Sequence, residues 1–294
     1  MSGIAWAIAG GIGFGVFQAV YRRVTRVIDA YTATFLLLVG ATIALTAVAG
    51  LTQDLSLLGS APPSAYVAFV LTGTVHFFFG WTFLSMSQRR VGASRTGVVV
   101  AATPLVGSVM AWIFLSEPLP VITVLGILAV TGGVILVART GSVDGEGTTG
   151  VPWAGLGAAL TWGTSPLLIR WGLEGLPSPL LGLTVGLAAA SVLYAFGIGA
   201  RNRRLGVDFP PREALAWVSL SSILVAAALA AQWKAWELIE ISVAITLLQL
   251  ATPTVVIVAP LIAGGDAERL TIRLVAGMGA IVSGSMVVVW SGGS

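Results

Sequence analysis

The chain has 294 residues, of which 56% are apolar and 9% charged, and its mean hydropathy is +0.97. Soluble domains carry about 25% charge. The 15 basic and 12 acidic side chains present here therefore cannot clothe a water-facing surface, which excludes a soluble globular enzyme, a disordered tail and a nucleic-acid-binding domain.

No cysteine is present and His76 is the one histidine, so disulfides, thiolate chemistry and multi-His metal sites are removed together. No cofactor is called for. The opening run from Met1 to Trp6 has no basic region, so the first apolar stretch reads as a retained helix rather than a cleaved signal.

A bilayer core takes about 20 apolar residues per helix. Charge-free apolar stretches predict ten spanning helices, over 3–21, 32–50, 65–88, 96–116, 119–138, 151–169, 175–200, 214–233, 241–262 and 274–291. The narrowest break, at Glu117, is enforced by Pro118 and Pro120. The break from Lys234 to Glu240 reads equally as the last turn of span eight. All connections are too short to fold separately, so any chemistry lies inside the bundle or at its mouths. Trp153, Trp171, Trp217, Trp236 and Trp290 fall near span ends, where amphipathic rings suit the interface. Trp81, Trp112, Trp162 and Trp233 fall deeper. Gly11–Gly15 and Gly182–Gly186 have the GxxxG spacing of close helix packing.

The two halves share ordered markers. Phe14-Gly15 is followed by Arg22 seven residues after the glycine, and Trp162-Gly163 by Arg170 at the same distance. Thr103-Pro104 matches Thr252-Pro253. Glu117 precedes Gly126 and Gly133 by nine and sixteen residues, and Glu268 precedes Gly277 and Gly284 by the same intervals. This predicts a duplication: residues 1–140 form one five-helix repeat, 141–150 a linker and 151–294 the second repeat. Five is odd, so the second repeat enters the membrane inverted, the architecture of secondary transporters with a midplane cavity between repeats. The fold class expected is an all-α polytopic membrane protein.

These markers, with Arg90-Val91-Gly92-Ala93-Ser94 before Thr103-Pro104 and Glu117-Pro118-Leu119 leading to Gly126, resemble the EamA-type family of the drug/metabolite transporter superfamily over nearly the whole chain. The resemblance implies two five-helix repeats and transport of small metabolites without ATP. The first half departs from the pattern at Phe14, where Trp is commoner.

Thirteen of the fifteen basic residues follow odd-numbered spans, leaving Arg170 and Lys234 for the end that carries both termini. The positive-inside rule then puts the odd-span loops in the cytoplasm and both termini outside, in the cell membrane. The resembled family more often has cytoplasmic termini.

Within the spans no acidic residue lies at depth, which argues against a simple carboxylate proton relay. His76 is the one ionisable side chain deep in a span, able to exchange a proton near neutral pH or to serve as packing glue. Gln18 and Tyr21 in span one, and Trp162, Thr164 and Ser165 at the matching depth of span six, are candidates to line a substrate cavity, with helix–helix hydrogen bonding the alternative for the hydroxyls. Trp81 is a candidate aromatic platform. Gln232, Trp233, Lys234, Trp236 and Glu237 form an entrance cluster or an interfacial belt, with Lys234 and Glu237 spaced to pair. Pro104 and Pro253 bend their helices and offer hinges, with Gln249 one turn before Pro253. Glu117 and Glu268 are expected to cap the helix that follows each, and Arg170 to pair with Glu174.

The expected function is secondary transport of a small metabolite or amphipathic solute by alternating access. A lipid flippase or scramblase is the alternative. An intramembrane enzyme is disfavoured, since no GxSxG turn and no pair of deep acids is present, and no GxxxxGK[ST] motif offers nucleotide hydrolysis. The expected partners are a small-molecule substrate and the lipid bilayer, with a coupling proton or ion allowed and the chain a monomer or homodimer.

Overall fold

A computed structural model describes residues 1–91, 93–140, 153–205, 210–263 and 271–292. Gly92, the expected linker 141–150, Glu268 and Arg269 lie outside the described residues. No strand occurs among those described. The long rods are α1 (Gly3–Thr25), α2 (Ala30–Thr52), α3 (Pro63–Val91), α4 (Ala93–Val100 continued by Thr103–Leu115), α5 (Val121–Thr140), α6 (Trp153–Gly175), α7 (Pro179–Leu205), α8 (Arg212–Leu238), α9 (Ile241–Leu247, a 3-10 turn Leu248–Leu250, then Ala251–Ala263) and α10 (Ile272–Gly292).

Among the described residues, nine helices are long and apolar enough to cross a membrane. The chain is thus a multi-pass membrane protein. The remaining rod, α6, has spanning length at 23 residues but carries Arg170, Glu174 and a run of small polar residues, so its composition is less apolar than its nine neighbours.

Local signals start the helices. Asp29 accepts hydrogen bonds from the Tyr31 and Thr32 amides at 3.2 and 3.3 Å and caps α2. Ser178 accepts from the Leu181 amide at 3.3 Å at the head of α7. Proline stands in the first turn of α3 and at the start of α7, where a missing N–H costs nothing. At the far end of α8 the helix runs on through Lys234 and Trp236 to Leu238, so the expected break there narrows to Ile239 and Glu240.

Packing follows an exchange of each rod for the one five places later. Rod α1 packs on α8 and α9, while α6 packs on α3 and α4. Rod α2 meets α7 and α8, and α7 meets α2 and α3. The seam between α5 and α10 is built on glycines. A Cβ added at Gly133 would lie 2.6 Å from the Gly277 carbonyl oxygen, and one at Gly277 would lie 2.9 Å from the Gly133 oxygen. Gly126 and Gly284 stand in the same reciprocal relation, at 3.0 and 2.7 Å. The four glycines picked out by sequence spacing therefore meet crosswise, which fits antiparallel rods whose backbones touch.

That seam has no room for side chains. Gly133→Val should lower the melting temperature in detergent by several degrees, since overpacking costs about 1–3 kcal/mol. Gly132→Ala, where an added Cβ meets nothing within 4 Å, should leave it unchanged.

Candidate functional site

The middle of α3 departs from α-helical winding. Residues Gly73–Phe79 form a π-helical segment with His76 at its centre, a distortion that concentrates at functional sites. Glycines bracket it: Gly73 lies against the Gly186 backbone of α7, and Gly80 against the Trp162 indole of α6. His76 is 7% exposed. Its Nδ1 lies 2.6 Å from Ser165 Oγ, and its carbonyl accepts the Trp162 Nε1–H at 3.0 Å. Its ring meets Trp236 of α8 edge-on, 6.2 Å between centroids, and Trp162 at 6.3 Å.

Ser165 has two claims on its single proton. Pro166, inside α6, removes the donor that would bond the Trp162 carbonyl, and Ser165 Oγ lies 3.2 Å from that oxygen. When Ser165 donates to Trp162, it accepts from an Nδ1–H of His76. When it donates to Nδ1, the imidazole proton sits on Nε2. The hydroxyl thus accommodates either tautomer without losing contact.

A row of rings continues from this point into α1. Phe77 meets Trp81 at 6.1 Å, Trp81 stacks on Phe17 at 6.4 Å, and Phe17 meets Phe14 and Tyr21 at 5.3 and 5.4 Å. Tyr21 donates to Thr34 Oγ1 at 3.2 Å, because the Thr34 proton is used on the Ala30 carbonyl at 2.7 Å.

Of the residues singled out from sequence, the structure gathers His76, Trp162, Ser165 and Trp236, and links Trp81 and Tyr21 to them through rings. Trp233 is fully buried against Phe69, and Gln232 is buried beside it on α8. Gln18 and Gln249 are half-buried. Thr164 turns its hydroxyl onto the Leu160 carbonyl at 2.8 Å, within its own helix. Lys234 pairs with Glu237 as spaced. Rod α4 breaks at Ala101–Ala102, just before Pro104, and the 3-10 turn of α9 precedes Pro253. Phe17 and Pro166 escaped sequence reasoning. The Ser165-Pro166 pair, which begins two residues after Gly163, is the signal that would have found Pro166.

Two sequence expectations are corrected at the end of the bundle that carries the chain's start. Glu117 does not cap α5. Its carboxylate accepts from the Ile241 amide at 2.9 and 3.0 Å and from the Ser242 amide at 3.5 Å, so it caps α9. The reason is local: Ser116, with φ 55°, ends α4 in the left-handed region, and the prolines beyond carry the chain away while Glu117 faces α9. Arg170 does not pair with Glu174, which is exposed. It faces Glu117, 3.7 Å from guanidinium nitrogen to carboxylate oxygen, and donates to the Ile239 carbonyl. A cavity of 390 Å³ opens here, lined by Ile4, Glu117, Arg170, Glu237, Leu238, Ile239, Glu240 and Val243.

Comparison with known proteins bears on this arrangement. The model of the EamA-like transporter family matches residues 1–139. A solved structure, described only as a crystal structure of a protein, superposes with a TM-score of 0.72 at 18% identity, covering 97% of this chain and 97% of its own. That likeness shows a shared fold. No curated protein matches the sequence.

Removing the Glu117 carboxylate strips two amides and a guanidinium of their partner. Glu117→Ala should destabilise the protein by about 2 kcal/mol, the scale of hydrogen bonds to a charged group, whereas Glu174→Ala should fall within about 0.5 kcal/mol. Thermal melting of the purified variants compares them.

Proposed function

From a chain whose residues 1–139 match the model of the EamA-like transporter family, we propose a secondary transporter that moves a small metabolite or amphipathic solute by alternating access, without ATP. The observation that carries the reading is the buried contact of His76 with Ser165, Trp162 and Trp236. It joins α3 of the first half to α6 and α8 of the second at the centre of the bundle. A polar group there is costly in an apolar bundle, and the ring row beside it offers flat apolar surface. In this reading the two halves are inverted five-helix repeats, 1–140 and 151–294, with the substrate between them.

Binding falls to His76, Trp162, Ser165, Trp236 and Trp81, with Gln18, Tyr21, Thr164, Gln232, Trp233 and Gln249 around them. Lys234 stands with Glu237 at the mouth. The helix breaks before Pro104 and Pro253 supply hinges, because weakened backbone hydrogen bonding lets the two lengths of each rod move separately. The odd-span loops face the cytoplasm and both termini face outside across the cell membrane. A reporter that fluoresces only in the cytoplasm, fused to the C-terminus, should stay dark.

Purified protein in proteoliposomes should show saturable flux for a solute that also raises its melting temperature. Ser165→Ala should lower that flux about tenfold, the scale of one lost buried hydrogen bond, while Trp112→Phe, on the exposed outer face, should leave it intact. Absence of saturable flux for every stabilising solute, with rapid movement of lipid headgroups instead, would overturn transport in favour of a scramblase.

A further inference from the structure

The charged junction at the mouth does more than cap a helix. Glu117 follows α4, Arg170 belongs to α6, Ile239 follows α8 and Ile241 begins α9, and hydrogen bonds or an ion pair through Glu117 and Arg170 tie all four rod ends together. The tie also joins α4 of the first half to three rods of the second.

The charges in this junction do not balance. Arg170 is matched by Glu117 and Lys234 by Glu237. Glu240 is left over, with no ion pair among the described residues, on the wall of the same cavity. It stands at the N-cap position of α9 but makes no capping bond, while Glu117 holds the first two amides of that rod. The remaining lining is apolar, Ile4 from α1 and Val243 from α9. The same end of the bundle carries Asp54, Glu117, Glu174, Glu237 and Glu240 against Arg170 and Lys234, so acidic side chains outnumber basic ones there.

We propose that this junction is the closure of the transport passage at that end and that Glu240 is its proton-binding group: the junction is shut with a proton on Glu240 and opens when the proton leaves. An ionised Glu240 repels Glu117 and competes for Arg170, so it loosens the tie, while a protonated one leaves two matched pairs and a neutral cavity. Burial first, and Glu117 second, push the Glu240 carboxyl above the ordinary carboxylate range, against the pull of Arg170. A raised value means that the closed state holds the proton more tightly than a water-exposed Glu240 would. Closure is therefore fully favoured near the ordinary glutamate value of about 4.3 and is lost as pH rises through the raised one.

The chain has no cysteine, so a single introduced thiol reports access. Ser242, 1% exposed and bonded through its amide to Glu117, lies under the junction. Labelling of Ser242→Cys by a water-soluble maleimide, normalised at each pH to the exposed Ser60→Cys, should rise at least about threefold from about pH 4.3, where closure is fully favoured, to pH 8. With Glu240→Gln added, labelling should stay low throughout, and with Glu117→Gln added it should be fast at every pH. The proposal is overturned if Glu240→Gln keeps the rise, or if Glu117→Gln stays protected throughout. Ser222→Cys, buried between α2 and α8, must stay protected for a variant's fold to count as intact; if it does not in Glu117→Gln, Glu240→Gln decides. The inference rests on the transporter reading, but its readout is access: flux without gated labelling sinks the closure alone, and gated labelling without flux sinks the transporter alone.

Discussion

In a bilayer every backbone amide and carbonyl must find its partner within the protein, and four irregularities of this structure answer to that constraint. The π-helical segment of α3 turns the His76 carbonyl toward an indole from another rod. Pro104 orphans the Val100 carbonyl, and Thr103, the residue before the proline, donates to it at 2.7 Å. Pro166 orphans the Trp162 carbonyl, and Ser165, again the residue before, lies within reach. The opening amides of α9 have no local cap and take a carboxylate from a loop more than a hundred residues earlier. At each of these four departures a side chain moves in, and three of the four belong to the candidate site or to the mouth.

The same constraint explains what was legible in the sequence. Spans could be read because apolar length is a local property, and nine of the described helices meet it. The crosswise glycines of α5 and α10 could be read as spacing within each half, since equal intervals on two antiparallel rods bring the first glycine of each against the second of the other. His76, Trp162 and Ser165 could be singled out because polar groups in apolar spans are rare.

What could not be read was partnership across the fold. Glu117 sits beside α5 in sequence, so local logic assigns it there; the left-handed Ser116 redirects it. Arg170 has Glu174 one turn away, yet that side chain faces out while Glu117 arrives from another rod. The π-helical winding has no compositional mark beyond Gly73 and Gly80, and of the two readings open at Lys234 the structure has the last turn of the helix, with the Lys and Glu paired.

The glycine seam of α5 and α10 also limits how such a chain can change over generations. Each contact is a backbone oxygen against the place where a side chain would begin, and each glycine of a pair has the other as its obstacle. A substitution at one position finds no relief in a smaller residue opposite, since none smaller exists. Exposed loops can drift independently in the two halves, whereas these four positions hold the halves in step.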